Sequence, residues 1–478
     1  MEPAGSTFFW AFALFVLLAP VYKAGNRAWP LLLLELAAIG FLLALALRQR
    51  GASVRALPRA LRIAVAIMLV YPLLQLVPLP HAVWRALPGH AEYAAILHGF
   101  ATPGAADAAR AISVVPAATE YGWLALLPPL ACLIAVPTLT PAHVVRLLTL
   151  MAVFAGAEGL VGLLQVGGGG DSLFRVRETQ AFGVATGTFV NRNHLATMLA
   201  MMLPVLVGLI AYDMRRRRNG HREPGANVVS RRVLVFGSAV VVLLGLAFTY
   251  SRAGIATALV GLAAASTLLV RARAGRAHAN LIVGALIVAG VVLAALIGLA
   301  PILERFEPVS LRMSGDGRLA LYAATLRAGI EFLPFGSGLS TFADVFPRFQ
   351  GGVFGGYIDY AHNDYLQLLM EIGLAGIVVV ALLLVAYAAR MGELLRRQSA
   401  RSFTVLQVAA GIGLLPAILH AMFDFSLHMP ANAMWFATLA GVMLHPGVSD
   451  RPGARAGASE PAAETGRGAA GTNDFEAS

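Results

Sequence analysis

Apolar runs long enough to cross a bilayer, which takes roughly 20 residues, recur along almost the whole chain. Twelve segments read as spanning helices: about 7–22, 29–47, 63–80, 119–138, 147–166, 194–212, 233–250, 253–270, 280–300, 363–389, 404–421 and 431–445. The pattern predicts an all-α polytopic membrane bundle of about 12 transmembrane helices, with a large loop, 301–362, between helices 9 and 10. Residues 1–445 form the expected membrane domain. Residues 446–478, rich in Ala, Gly and Glu and without apolar periodicity, read as a disordered cytoplasmic tail.

The polar positions between the runs orient them. With the N-terminus inside, the inside loops hold 20 Lys or Arg in 66 residues and the outside loops 13 in 144. The positive-inside rule therefore favours an N-in, C-in topology. The run Arg215 to Arg218 is a topology signal on this reading, with no nucleic acid as partner. Richness in Ala and Arg with almost no Lys suggests a GC-rich bacterial genome, so the outside is expected to be the periplasm and the membrane the inner one.

Composition agrees. The 478 residues are 58% hydrophobic and 13% charged, where a soluble domain averages about a quarter charged. An ordinary soluble enzyme, a disordered protein and a disulfide scaffold are excluded. The single cysteine, Cys132, permits no disulfide within the chain and no cysteine metal cluster.

Three helices that run inward from the outside begin with polar residues: Asn191-Arg192-Asn193-His194, Ser251-Arg252-Ala253-Gly254 and Ala361-His362-Asn363-Asp364-Tyr365. A helix N-terminus offers free N–H groups and roughly half a positive charge. An arginine beside it suits an anion such as phosphate. The plainer alternative is that Arg192 and Arg252 snorkel to lipid headgroups. At such a helix start His362 is expected to be neutral and able to take a proton from a hydroxyl. Asn363 and Asp364 stand close enough to orient it or cap the helix, and Asp364 and Glu371 lie two turns apart on one face. Against this, His362 would be only a cap and Glu371 an isolated buried carboxylate paired with an arginine.

Other polar residues are less directive. Glu158, in mid-span, is either functional or a packing residue beside Gly156 and Gly159. His420, Asp424 and His428 cluster near a turn without the spacing of a compact zinc site. Residues 317–331 read as an amphipathic helix roofing a cavity, followed by a loop punctuated by Pro334, Gly336 and Gly338. A secondary transporter would show paired intramembrane charges and broken helices in both halves; only Glu158 is clearly mid-membrane.

Over roughly 180–435 the chain resembles the O-antigen ligase/polymerase family of bacterial envelope proteins. Three stretches carry the likeness: Gly187-Thr188-Phe189-Val190-Asn191-Arg192-Asn193-His194, Tyr250-Ser251-Arg252-Ala253-Gly254, and His362-Asn363-Asp364-Tyr365-Leu366-Gln367 followed by Glu371-Ile372-Gly373. Pro334-Phe335-Gly336-Ser337-Gly338 precedes the third, and Asp424-Phe425 and Pro430 follow it. The resemblance implies a metal-independent, inverting glycosyltransferase with no cofactor, working at the periplasmic face. The donor would be a glycan on undecaprenyl pyrophosphate. The acceptor would be a sugar hydroxyl, either on lipid A–core (a ligase) or on another lipid-linked repeat (a polymerase). Arg192 and Arg252, with Arg318 as a third, would bind pyrophosphate, and His362 would be the base. Asn191, His194, Asn363, Asp364 and Glu371 would support them.

Overall fold

The computed structural model describes residues 5–49, 51–100, 107–168, 183–219, 225–269, 284, 308–351, 356–397 and 402–447. Fourteen helices are used below: α1 (Ser6–Leu18), α2 (Ala28–Gln49), α3 (Arg59–Gln75), α4 (Pro116–Leu124), α5 (Leu127–Ala135), α6 (Pro141–Gly167), α7 (Arg192–Arg218), α8 (Gly225–Phe248), α9 (Arg252–Leu269), α10 (Pro308–Glu331), α11 (Asp364–Ile372), α12 (Leu374–Arg397), α13 (Ser402–His420) and α14 (Pro430–Leu444). Among the described residues, seven helical segments are long and apolar enough to cross a membrane, and Ser6–Leu18, Arg252–Ser266 and Pro430–Leu444 are shorter apolar helices. The expected span 280–300, except residue 284, and the tail from 448 lie outside the described residues, as do 301–307 and 352–355 of the long loop.

Small residues set how closely the helices approach. α7 is buried along nearly its whole length and runs antiparallel to α13, with Gly208 against Ala409 and Gly413 against the Met201 carbonyl. α9 lies parallel to α7, with Gly254 against Ala196 and Gly261 against Pro204. α6 meets α8 at Gly156 over Ser238 and Gly159 over Val241. Without a hydrophobic drive between helices in lipid, such close backbone contacts supply the association. One apolar core joins Phe9 and Phe12 of α1 to Trp435 and Met443 of α14.

Two predicted spans divide. The run 363–389 breaks at Gly373, whose φ is +60°. A side chain there would collide with the Pro334 carbonyl, which accepts the Leu374 N–H at 3.0 Å. The expected single helix is thus the short α11 followed by the spanning α12. The run 119–138 breaks between α4 and α5, where Pro128 and Pro129 begin the second helix and offer no N–H to the first. Hydropathy runs smoothly through both breaks, so it does not register them.

The polar helix starts gather at one end of the bundle, which is roofed by α10 and by residues 334–351 and 356–361. α10 extends further toward the N-terminus than the predicted 317–331. Its Leu321, Ala324 and Ala328 pack with Phe342, Val345, Phe346, Ala361 and Met370. The loop after α10 is seated by Gln75 of α3, which donates to the carbonyls of Phe335 and Glu371, each at 3.0 Å. At the opposite end, Arg231 and Arg232 pair with Asp213. His194 and Asp213 are separated along α7 by roughly 30 Å of helix, about the thickness of a hydrocarbon core.

Candidate active site

The site is built where two loops cross. The first, 360–363, leads into α11; the second, 421–429, joins α13 to α14. They exchange two histidine–carboxylate contacts. Nδ1 of His362 lies 3.3 Å from Oδ1 of Asp424. In the reverse sense, Nδ1 of His428 donates to Oδ1 of Asp364 at 2.6 Å. Two further bonds lace the crossing: the Asp364 backbone N–H donates to the Ala421 carbonyl at 2.8 Å, and the Asn363 side-chain Nδ2 to the Met422 carbonyl at 3.1 Å.

The partner of His362 is therefore Asp424, and the expectation that Asp364 orients His362 is corrected. The chain reverses sharply at His362, which has φ +50°. This reversal turns its ring toward the second loop, while Asp364 enters the helix facing His428. A positive φ is uncommon for a residue with a side chain and persists only where the surroundings enforce it. His362 is 34% exposed whereas Asp424 is fully buried, so of the pair only the ring reaches the surface. Burial raises the Asp424 carboxyl, but contact with His362 and the neighbouring His194 and His420 outweighs it and holds the group well below the usual carboxylate range.

Phe425 organises the aromatic floor. Tyr360 stacks on it at 4.0 Å between centroids, and His362 and His194 meet its faces edge-on at 4.8 and 4.7 Å. Nε2 of His194 is 3.9 Å from Asp424 Oδ1. Thr197 of α7 bonds both His420 and Ser426, which ties the second loop to the start of α7.

Glu371 takes a structural place. It is buried, accepts from Gln367 Nε2 at 3.0 Å and from the Ser340 N–H at 2.9 Å, and so anchors the roof loop on α11. The alternative that Glu371 pairs with an arginine is not what these contacts show. Burial raises the carboxyls of both Asp364 and Glu371, and His428 opposes it in each.

The three helix starts are less open than the sequence suggested. Asn191 caps α7 by accepting from the Asn193 N–H at 2.8 Å. Ser251 accepts from Gly254 at 3.2 Å. Asn363 accepts from both Tyr365 and Leu366 at 3.1 Å. His362 thus stands just before its helix, and several of the N–H groups expected to meet an anion are already capped. What these ends retain is their dipole and their arginines. Arg192 opens α7 and Arg252 opens α9, both half-buried, and the contact of Gly254 with Ala196 brings the two starts side by side. Arg318 stands one turn before Tyr322 on α10, and the Tyr322 hydroxyl reaches the His362 and Met422 carbonyls, so Arg318 lies at the same end of the bundle.

Glu158 belongs to the supports of this end. Its carboxyl accepts from the Thr188 N–H at 2.8 Å, and Thr188 Oγ1 lies 2.9 Å from it. Two helical turns further along α6, Gln165 accepts from the Thr186 and Gly187 N–H groups at 2.9 Å and donates to the Gly187 carbonyl at 2.7 Å. Two polar side chains of α6 therefore mould the turn that leads into Asn191 and Arg192.

Residues 237–381 match the family model described as O-Antigen ligase. This stretch of the chain is similar to the O-antigen ligase family. No curated protein matches the chain. The matched O-antigen ligase segment includes Arg252, Arg318, His362, Asp364 and Glu371 and stops short of Arg192 and Asp424. Together with the apolar helices, the match supports a multi-pass membrane protein of the O-antigen ligase/polymerase kind.

Sequence reasoning named Asp424 and His428 in a polar cluster, and Asp424 and Gln367 in the stretches that carry the family likeness, but gave none of them, nor Tyr322 or Tyr360, a role at the site. The signal present was the density of polar residues in 420–428 within an otherwise apolar stretch. Among the described residues, no group of three or more His, Cys, Asp or Glu is arranged to hold a metal ion.

Proposed function

We propose that this protein transfers a glycan from undecaprenyl pyrophosphate to a sugar hydroxyl at the periplasmic face of the bacterial inner membrane, as an O-antigen ligase with lipid A–core as acceptor. The observation that carries the reading is the His362–Asp424 pair, 3.3 Å apart, at the bundle end where Arg192, Arg252 and Arg318 also lie. On this reading both termini are cytoplasmic, and residues 1–445 act as one membrane unit.

With Nδ1 of His362 turned to Asp424, Nε2 is the ring nitrogen left to take the acceptor's proton. The hydroxyl oxygen attacks the anomeric carbon as its O–H bond breaks. The bond from that carbon to the pyrophosphate oxygen breaks in the same displacement, its electron pair leaves with the pyrophosphate, and the configuration inverts. Asp424 steadies the imidazolium that forms. Arg192, Arg252 and Arg318 stabilise the charge that builds on the leaving group, a role that needs neither proton nor metal.

The test is transfer in proteoliposomes with purified lipid-linked donor and acceptor, with and without chelator. Inverted product that forms in chelator, and is lost in His362→Gln, is the expected result. Chelator-sensitive transfer defeats the metal-independent mechanism. Gene deletion separates the acceptors: lipid-linked polymer accumulates if a ligase is lost, single lipid-linked repeats if a polymerase is lost.

A further inference from the structure

The hydroxyl of Tyr322, on α10, lies 2.9 Å from the His362 carbonyl and 3.2 Å from the Met422 carbonyl. These two carbonyls belong to the two crossing loops, one carrying His362 and the other Asp424. Both are acceptors, so the single phenolic proton is donated between them, with His362 the nearer. Burial raises the phenol further above its already high ordinary value, so the group remains a donor across the working pH range.

We propose that Tyr322 is a positioning residue for His362, clamping the two loops together so that the imidazole meets Asp424. The φ of +50° at His362 requires such a restraint, since a side-chain-bearing residue leaves that conformation when nothing holds it. The peptide carbonyl of His362 is the lever: rotation of this peptide changes the direction of the ring. The remaining contacts at the turn restrain its neighbours. Gln367 accepts from the Ala361 N–H at 3.0 Å, and Asn363 donates to Met422. Tyr322 alone of these holds the His362 peptide itself among the described hydrogen bonds.

Tyr322 follows Arg318 by one helical turn, so the two share one face of α10, about 6 Å apart along its axis. Arg318 acts electrostatically on Tyr322 and on His420. The helix that offers a guanidinium to the phosphate thereby also holds the base. This inference rests on the reading of His362 as base and Arg318 as phosphate ligand.

Tyr322→Phe removes the hydroxyl and keeps the ring. The expected result is a kcat lowered about tenfold, the scale of one neutral hydrogen bond, with donor KM unchanged. In a His362→Gln background the same substitution is expected to leave the residual turnover unchanged, because the group it positions is gone. If that residual turnover falls below detection, amide hydrogen exchange replaces it. Exchange is then expected to speed up at Asn363, Asp364 and Phe423 in Tyr322→Phe, with the amides of α10 unaltered. Full kcat in Tyr322→Phe, an equal penalty in both backgrounds, a raised donor KM, or unchanged exchange each overturns the proposal. Normal turnover in His362→Gln alone is a different failure, because it removes the base reading itself.

Discussion

Nδ1 of His362 and Oδ1 of Asp424 stand 3.3 Å apart, with the carboxylate fully buried and the imidazole partly open. A buried carboxylate held anionic beside a ring nitrogen fixes the ring's orientation and attracts the charge that the ring gains during transfer. At about 4 Å the charge–charge term runs from roughly 1 to 4 kcal/mol between water-like and near-surface screening. Asp424→Asn keeps the shape and removes the charge, and is expected to lower kcat about 10- to 100-fold, at about 1.4 kcal/mol per factor of ten. His362→Gln should cost more, roughly 10²–10⁴, the range of a lost general base. Steady-state transfer with saturating donor reads both, and wild-type kcat in Asp424→Asn would falsify the pairing as a catalytic one.

The arginines are expected to act on the leaving group. Arg192→Ala and Arg252→Ala should each remove about 2–4 kcal/mol of transition-state stabilisation, or 10²–10³ in rate, in protein that still inserts. Lysine should restore little, since it cannot grip a phosphate bidentately. The internal capping of α7 and α9 sharpens this expectation, because the backbone N–H groups already bound by Asn191 and Ser251 have less to offer an anion. Turnover of the four variants, normalised to membrane-inserted protein, decides between phosphate contact and headgroup anchoring. Normal rates in both alanine variants leave only anchoring.

How much of this was legible in the sequence follows from what periodicity encodes. Apolar runs located the helices, because in lipid nearly every exposed side chain must be apolar. Polar residues at 191–194, 251–254 and 361–365 then stood out against them, and all three lie at the same end of the bundle. The break at Gly373 was hidden, because it is imposed by the Pro334 carbonyl crossing behind it, a contact between segments far apart in sequence. For the same reason Asp364, the carboxylate nearest in sequence, stood as a candidate to orient His362 or cap its helix. The crossing of the two loops exchanges the partners, and no local spacing records an exchange between distant turns.

Glu158 illustrates a structural use of an intramembrane carboxylate. It binds Thr188 by both main chain and side chain, and Gly187, at φ +57°, leaves no room for a side chain against it. Glu158→Gln is expected to preserve most of the turn's geometry and at least half of the activity. Gly187→Ala should destabilise by about 1–3 kcal/mol, from backbone strain and the collision with Glu158. Thermal unfolding in detergent checks the second and transfer assays the first. Inactivity of a well-folded Glu158→Gln would instead assign the carboxylate a direct role.

The second contact of the crossing, His428 with Asp364, gives a pH dependence of definite sign. Burial alone would lower the imidazole of His428, but Asp364 and then Glu371 outweigh it, and its pKa is raised. A raised imidazole contributes stability that is complete below its ordinary value, about 6.5, and is lost as pH rises through the raised value. Asp364 and Glu371, raised mainly by burial, act in the same direction, since the folded protein holds their protons more tightly than the unfolded chain does. The melting temperature is therefore expected to decline from about pH 6.5 upward. His428→Gln should cost about 1–2 kcal/mol at pH 6, a charged hydrogen bond discounted for the ring's partial exposure, and should flatten the decline above pH 6.5. Differential scanning fluorimetry of both proteins from pH 5.5 to 9 tests this, and parallel curves would remove His428 as the titrating group.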